Sequence, residues 1–418
     1  MSVAGLKPFT ISKHLVLKAF KKVKSNRGAE GIDKRTIKDF EKKLEDNLYK
    51  VWNRMSSGTY FPPAVKRVQI PKKTGGKRKL GIPTVADRVA QMVVKLTLEP
   101  NIEPMFLDDS YGYRPGRCAL DAVDITKKRC WKYNWVLEFD IKGLFDNIDH
   151  RFLMALVRRH ANCKWVVLYI ERWLKAPIQL EDGTIVQNDK GTPQGGVISP
   201  LLANLFLHYT FDTWMEKEFP ANPWCRYADD GLVHCRTLTD AKKILKALKM
   251  RLAKCKLMLN LEKTRIVYCK DHRRKAKYQV CGFDFLGYTF KPRLVTNSES
   301  GKKYLGFVPG VSQSALKSMR KKIRDSKFRK RTCLKLEDIA KMFNPKLRGW
   351  MQYFTKHCPS QMNALYGYFN WMLVKWARKK YRKLKTSFKR AIRFIKGIAK
   401  KNPQLFEHWK LEKWILVT

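Results

Sequence analysis

An α+β fold is predicted by three observations. Short apolar and aromatic segments of strand character end in Asp, a basic β-hairpin pattern lies near residue 70, and apolar residues recur at helical spacing through the last third of the chain. With 418 residues, 44% of them hydrophobic, there is material for two or three domains with substantial cores.

Residues 10 to 55 read as helical. Leu15, Phe20 and Val23, then Ile37, Phe40 and Leu44, recur at helix-like spacing on either side of the glycine-containing loop NRGAEGID (26–33). Residues 65–83, VKRVQIPKKTGGKRKLGIP, read as a hairpin: Val68-Gln69-Ile70 leads in, Thr74-Gly75-Gly76 turns, and Lys79-Leu80-Gly81-Ile82 leads out. It carries Lys66, Arg67, Lys72, Lys73, Lys77, Arg78 and Lys79. Lysines also guard solvated edge strands, but the positive density on so short a ribbon favours contact with phosphate.

A helix-like segment runs to Phe106. SYGYRPGRCALDAV (110–123) then sets two aromatics, two Arg and two Gly in a loop before a helix. Arg114 and Arg117 there either hold a strand of nucleic acid by its phosphates or cap acidic groups. WVLEFD ends at Asp140, and 149–176 is mainly helical. GTPQGGVISPLLANLFLHY (191–209) is a Gly-rich turn whose backbone can approach a nucleotide closely, followed by a helix with Ser199 as N-cap and Pro200 at the first helical position. Asp229-Asp230 falls between two strand-like runs, 224–227 and 231–234, at a hairpin tip. An amphipathic Lys-rich helix spans Thr239 to Leu259, and LNLEKTRIVY (259–268) returns to strand character. Lys263 within it is either one more solvated lysine or a cation near pyrophosphate. FDFLGYTF (283–290) is an alternating aromatic strand.

From residue 301 the character changes, with 31 Lys and Arg against 5 Asp and Glu. Helical spacing recurs at Leu316, Met319 and Ile323, at Leu347, Met351 and Phe354, and at Met362, Leu365, Phe369 and Trp376, with Ser312, Asn344 and Ser360 as N-caps. The aromatic stripes belong to a core. The outside barely mixes charge signs, unlike an ordinary solvated face.

Over the whole chain 87 Lys and Arg face 36 Asp and Glu, a net charge of +51. That excess exceeds what solubility needs and points to a polyanion, nucleic acid ahead of membrane. Apolar runs such as LLANLFLHY are too short to span a bilayer and the N-terminus has no signal-peptide core, so a cytosolic or nucleoid-associated protein is expected. Ten cysteines occur without a C-x-x-C, which argues against a zinc ribbon and for reduced thiols.

An isolated Asp-Asp at a hairpin tip is an ordinary polar turn. Asp140 changes its meaning. Joining a nucleotide to a primer 3′-hydroxyl requires stabilising an attacking and a leaving oxygen together, which two Mg²⁺ ions about 4 Å apart can do. Mg²⁺ takes hard oxygen ligands, one or two carboxylates plus substrate phosphates. If the strand ending at Asp140 pairs beside the hairpin, at about 4.8 Å, Asp140 and Asp229 converge on one pair of ions. This is the pattern of a nucleic-acid polymerase palm.

The segments NRGAEGID, IPKKTGGKRKLGIPTVADR, SYGYRPGRCALDAV, FDIKGLFDNIDH, GTPQGGVISPLLANLFL, RYADD, LNLEKT, FLGYTF and RGWMQYF, in that order, resemble the reverse transcriptases encoded by bacterial group II introns, the intron maturases. The resemblance implies a right-hand polymerase: N-terminal extension and fingers at 1–100, palm with interleaved fingers segments at 101–300, helical thumb or maturase domain at 305–395 and a basic tail at 396–418. By the same resemblance Asp140, Asp229 and Asp230 are the catalytic, metal-binding carboxylates, with Asp140 and Asp229 the closest ligands of two Mg²⁺ ions that Mn²⁺ can replace. Lys72 and Arg78 grip the incoming triphosphate, Phe145 is the gate against a ribose 2′-hydroxyl, Gln194 lies beside the nucleotide, and Lys263 is a proton donor to pyrophosphate. Lys66, Arg67, Lys77, Arg114, Arg117 and Arg348 are the expected nucleic-acid contacts.

The implied activity is an RNA-directed DNA polymerase that binds group II intron RNA, assists splicing and copies the intron during retrohoming. It would use dNTPs, an RNA template and a DNA primer or target DNA, as a monomer or dimer in the bacterial cytosol. Leu144 stands where many members carry a second aromatic, while the gate position is kept. The resemblance is to the form without an HNH endonuclease, whose primer would be made elsewhere, such as a nascent strand at a replication fork. A free-standing relative in DNA repair or phage defence is the alternative biology. A polymerase-dead splicing factor is disfavoured by the three intact carboxylates, and an RNA replicase by Phe145.

Overall fold

The computed structural model describes residues 7–71, 76–296 and 300–411. Its elements in chain order begin with α1 (Lys13–Asn26), α2 (Ile37–Glu41), α3 (Leu44–Ser56), β1 (Val65–Pro71), β2 (Lys77–Ile82), α4 (Val85–Ile102), α5 (Ala119–Lys132), β3 (Trp135–Asp140) and α6 (Leu144–Asn147). There follow α7 (His150–His160), α8 (Lys164–Leu174), β4 (Ile178–Gln179), β5 (Ile185–Val186), α9 (Ser199–Leu207), a π-helical turn (His208–Asp212), α10 (Thr213–Glu218), β6 (Trp224–Tyr227), β7 (Asp230–Cys235), α11 (Leu238–Lys254) and β8 (Arg265–Tyr268). The chain continues through β9 (Phe283–Phe285), β10 (Tyr288–Thr296), β11 (Lys303–Val311), α12 (Gln313–Asp325), α13 (Leu336–Phe354), α14 (Asn363–Lys380) and α15 (Phe388–Lys401). This is the α+β class expected. No helix among the described residues is long and apolar enough to cross a membrane.

The chain forms two compact units, residues 1–122 with 137–266, and residues 123–136 with 267–418. In the first, α1 buries the stripe Val16, Ala19, Phe20 and Val23, and Phe20 stacks on Phe40 of α2 at 5.6 Å. Helix α4 is buried nearly all round because it is central. That position obliges its polar residues to find partners. Asp87 accepts from the Tyr60 hydroxyl at 2.9 Å, Trp173 Nε1 at 2.7 Å and Gln91 Nε2 at 2.9 Å, and burial raises its carboxyl to about 6 against those donors.

Two sheets complete the unit. One has the order β2-β1-β4-β5, and the basic hairpin pairs antiparallel from Lys66↔Ile82 to Pro71↔Lys77. The short β4–β5 hairpin, parallel to β1 through β4, was not expected from the sequence. Two-residue strands carry too little periodicity to be seen. The other sheet has the order β6-β7-β3-β8, which sets the strand ending at Asp140 directly beside the Asp-Asp hairpin. Gly231 makes that pairing possible: a Cβ there would stand 2.2 Å from the Phe139 ring.

Helix α9 starts one residue earlier than expected. Ile198 already has helical angles and is the N-cap, so Ser199 is the first helical residue, caps nothing, and Pro200 is second.

In the second unit β9, β10 and β11 form an antiparallel sheet. The β9–β10 turn is Leu286-Gly287, both left-handed at φ 51° and 81°, the two-residue geometry that matches strand twist. Phe283 and Phe290 stack across it at 4.8 Å. Helices α12 to α14 pack through Leu316, Met319 and Ile323, through Phe343 and Leu347, and through Leu365, Phe369 and Trp376. Ser312 caps α12 by accepting from Ala315 N at 3.1 Å, as expected. Asn344 and Ser360 do not cap. Asn344 lies inside α13 and uses its amide on Leu405 O and Glu407 N, and Ser360 lies in a short 3₁₀ turn ahead of α14.

Within the stretch read as a basic tail, α15 continues to Lys401, and Phe406, His408 and Trp409 are buried. His408 Nε2 and Trp409 Nε1 both donate to Asn370 Oδ1, at 2.8 and 2.9 Å. Two large aromatics outweigh the surrounding lysines when an apolar face is available to cover them.

Candidate active site

The hairpin that carries the two aspartates is closed by the pair Tyr227↔Asp230, so Ala228-Asp229 is the loop and Asp230 begins β7. Ala228 adopts φ 56°, a left-handed conformation that a Cβ makes costly. Neighbouring β3 ends at Asp140, whose backbone is held from its other side: Asn260 N donates to Asp140 O and Lys142 N to Met258 O, each at 2.8 Å. The turn 260–263 then folds back over the carboxylate. Lys263 Nζ donates to Asp140 Oδ1 at 3.1 Å and Asn260 Nδ2 to Oδ2 at 2.9 Å.

Asp229 and Asp230 are raised above the ordinary carboxylate range. For Asp229 the cause is desolvation first and then the charge of Asp140, opposed by Arg78 and Lys263. Asp230 is pushed up to about 7 by desolvation in the concavity, by Asp229 and Asp140, and by a hydrogen bond to Asp140. Because Asp230 is itself exposed, the neighbouring like charges are the more durable cause. Three carboxylates that repel one another at the edge of a concave site form a hard-oxygen donor set that a divalent cation relieves. Among the described residues no group of three or more His, Cys, Asp or Glu is arranged to enclose a metal by side chains alone. Mg²⁺ takes one or two carboxylates and completes its shell with water and substrate oxygens, and carboxylates are what these residues offer.

Arg78, on β2, donates from Nε to Gln194 Oε1 at 2.7 Å, and Gly81 N donates to Gln194 O at 2.7 Å. Two sequence-predicted nucleotide residues thus meet. Gly195 permits the approach, since a Cβ there would stand 2.4 Å from Gly81 O. The same turn is pinned from behind by Gln91, whose Oε1 accepts from Val197 N at 2.7 Å. It is joined to α6 by Thr192 N donating to Phe145 O at 2.6 Å. Phe145 is buried and lines a cleft of about 630 Å³ together with Arg67, Lys79, Asn147, Asn188 and Gln194.

The remaining expected contacts divide. Lys72 lies outside the described residues. Lys77 is exposed, and Lys66 Nζ stands 4.0 Å from Glu30. Arg114 is corrected: its side chain is 5% exposed and its guanidinium donates to Glu103 Oε1 at 2.8 Å and to the carbonyls of Phe106, Leu107 and Ser110, which leaves it no access to phosphate. Arg117 pairs with Asp108. Arg348 is exposed but bonded to Glu407 at 2.6 Å.

Sequence reasoning missed two residues. Asn260 is an unremarked Asn of LNLEKT until 258–260 is seen to run beside 140–142. Tyr113 stands half exposed with φ 61°, and its hydroxyl is raised by desolvation and by Asp229, Tyr227 and Asp230 against Arg78. The signal in the sequence was an aromatic directly after Gly112 in the loop that also carries Arg114 and Arg117.

The family described as reverse transcriptase (RNA-dependent DNA polymerase) matches residues 70–290, and group II intron, maturase-specific domain matches residues 316–394. Group II intron-encoded protein LtrA of Lactococcus lactis subsp. cremoris is 40% identical over 193 residues, 46% of this chain and 32% of that protein. Protein YkfC of Escherichia coli (strain K12) is 30% identical over 299 residues, 62% of this chain and 74% of that protein. Putative COX1/OXI3 intron 2 protein of Saccharomyces cerevisiae is 26% identical over 271 residues, 62% of this chain and 29% of that protein. The chain thus spans about a third of the length of LtrA. The chain belongs to the reverse transcriptase family and carries the maturase-specific domain of group II introns.

Proposed function

We propose that this protein is an RNA-directed DNA polymerase that binds group II intron RNA, assists its splicing and reverse-transcribes it during retrohoming in the bacterial cytosol. The observation that carries the polymerase reading is the convergence of Asp140, Asp229 and Asp230 at one end of a sheet, within the field of Arg78 and Lys263. The primer 3′-hydroxyl attacks the α-phosphate of a dNTP in line and pyrophosphate leaves. Asp140, Asp229 and Asp230 would hold two Mg²⁺ ions, replaceable by Mn²⁺, which would supply Lewis-acid stabilisation of the attacking and leaving oxygens.

The protein's own groups do the rest. Arg78, oriented by Gln194, receives triphosphate oxygens together with Lys72. Lys263, bonded to Asp140, protonates the leaving pyrophosphate, and Phe145 walls the sugar so that a 2′-hydroxyl collides with its ring. The maturase-specific match at 316–394 and the excess of basic residues after 301 support intron RNA as the partner.

Primer extension by the purified protein on an RNA template with dNTPs and Mg²⁺ is expected to yield cDNA, and Asp229→Ala to abolish it. Equal activity in that variant would overturn the assignment of the site. For the maturase role, the RNA flanking the reading frame should splice faster at low Mg²⁺ when the protein is added. No acceleration would remove that role and leave the polymerase standing.

A further inference from the structure

Behind the catalytic hairpin lies a buried ion pair to which the reaction assigns no part. Arg226, the residue before Tyr227, and Asp212 are both fully buried. The pair is bidentate: Arg226 Nε donates to Asp212 Oδ1 at 2.8 Å and Nη2 to Oδ2 at 2.7 Å. Arg226 Nη2 also donates to Ser110 Oγ at 2.7 Å, and Nη1 donates to Asn204 Oδ1 at 3.0 Å and to Ala228 O at 3.2 Å. All five N–H donors of the guanidinium are therefore engaged. One ends on the backbone of the loop residue that precedes Asp229.

The geometry around the pair is specific to this turn. Ala228 is the non-glycine residue held at φ 56°, and the chain at Gly112 lies so close that a Cβ there would stand 2.5 Å from Ala228 N. Asn204 closes the same contact from below, its Nδ2 donating to Gly112 O at 2.7 Å. Asp212 reaches Arg226 from a π-helical turn, a form that inserts one residue and rotates the helix beyond it. That turn is stabilised from outside by Arg251, which donates to Thr210 O at 3.0 Å and Tyr209 O at 2.8 Å. A buried charge pair is a weak source of stability compared with apolar residues of equal volume. Its value here lies in direction.

We infer that Asp212 and Arg226 are positioning residues for the reaction: the π-helical turn aims Asp212 at Arg226, and Arg226 holds Ala228 in its left-handed conformation so that Asp229 projects into the site. This inference rests on the polymerase reading of the hairpin. The wild-type primer-extension assay separates the two, since its failure removes that reading whatever the variants do.

The test uses the full-length protein and two variants, the apolar replacement Arg226→Met with Asp212→Leu, and Asp212→Asn alone. Thermal unfolding, affinity for the RNA–DNA template–primer, KM for dNTP and the single-turnover rate are measured for each. We expect at least one variant to unfold within a few degrees of wild type and to keep template–primer affinity and KM within about twofold. Its single-turnover rate should fall at least tenfold. A folded variant with a rate within twofold of wild type overturns the inference. So does a loss in which KM or affinity carries the change, and so does failure of both variants to fold, because the pair would then serve the core rather than the turn.

Discussion

Arg78 Nε bonds Gln194 Oε1 at 2.7 Å, tying the basic hairpin to the glycine-rich turn 191–197 across 116 residues of sequence. A charge-assisted bond of this kind both orients the guanidinium and fixes the turn. Arg78→Ala and Gln194→Ala should each raise KM for dNTP, Arg78→Ala by roughly tenfold. In a double-mutant cycle the two should couple by about 1 kcal/mol. Additive effects would mean that the bond has no part in nucleotide binding.

Phe145 is buried, its backbone carbonyl accepts from Thr192 N of the 191–197 turn, and the residue lines the cleft. Phe145→Val opens that wall and should admit ribonucleotides, lowering the preference for dNTP over rNTP by ten- to a hundredfold at little cost to dNTP incorporation. Competition assays with paired dNTP and rNTP read this directly. An unchanged preference removes Phe145 from the gate.

Lys263 and Asn260 occupy the two oxygens of Asp140 at 3.1 and 2.9 Å. If Lys263 is the proton donor to pyrophosphate, Lys263→Met should reduce the single-turnover rate by about a hundredfold, in the range ordinary for general acids. Asn260→Leu removes only orientation and should cost about tenfold. Equal losses would show that Lys263 orients and does not donate.

Arg114 is spent inside the protein on Glu103 and three carbonyls. Arg114→Ala should destabilise the fold by about 3 kcal/mol, since it strands a part-buried carboxylate and several acceptors. It should leave the salt dependence of RNA affinity unchanged. Arg67→Ala should do the reverse, lowering the slope of log K against log salt by about one while stability holds. Denaturant unfolding and filter binding at several salt concentrations distinguish the two.

His408 is fully buried, and desolvation holds its imidazole down at about 3. The unfolded chain, with an ordinary value near 6.5, binds a proton that the folded chain refuses over that interval. Stability is therefore full above pH 6.5 and falls as pH drops toward 3, by up to about 1.4 kcal/mol per pH unit from this group. His160, His208 and His357 are lowered as well, by burial first, and add to the same trend. His408→Phe should fold with a shallower loss of stability between pH 6 and pH 5 than wild type. Unfolding followed by tryptophan fluorescence at each pH measures it, and identical slopes would rule it out.

Residue order alone dictates the α+β class, the strands on either side of Asp229-Asp230, the basic hairpin and the helices of the last hundred residues. Each rests on local periodicity or turn chemistry, which a chain carries without its partners. Residue order also supplies Asp140, Asp229, Arg78, Phe145 and Gln194 as residue types in a recognisable sequence of motifs. Which of these meet is a matter of tertiary packing. The order β6-β7-β3-β8 sets Asp140 beside the hairpin, Gly195 and Gly81 let Arg78 reach Gln194, and the return of 258–260 along 140–142 brings in Asn260. The same reason explains the misreadings. Whether an arginine is a phosphate contact or an internal brace depends on the carbonyls and carboxylates packed around it. Arg114, expected at phosphate, is braced instead by Glu103 and by the carbonyls of Phe106, Leu107 and Ser110.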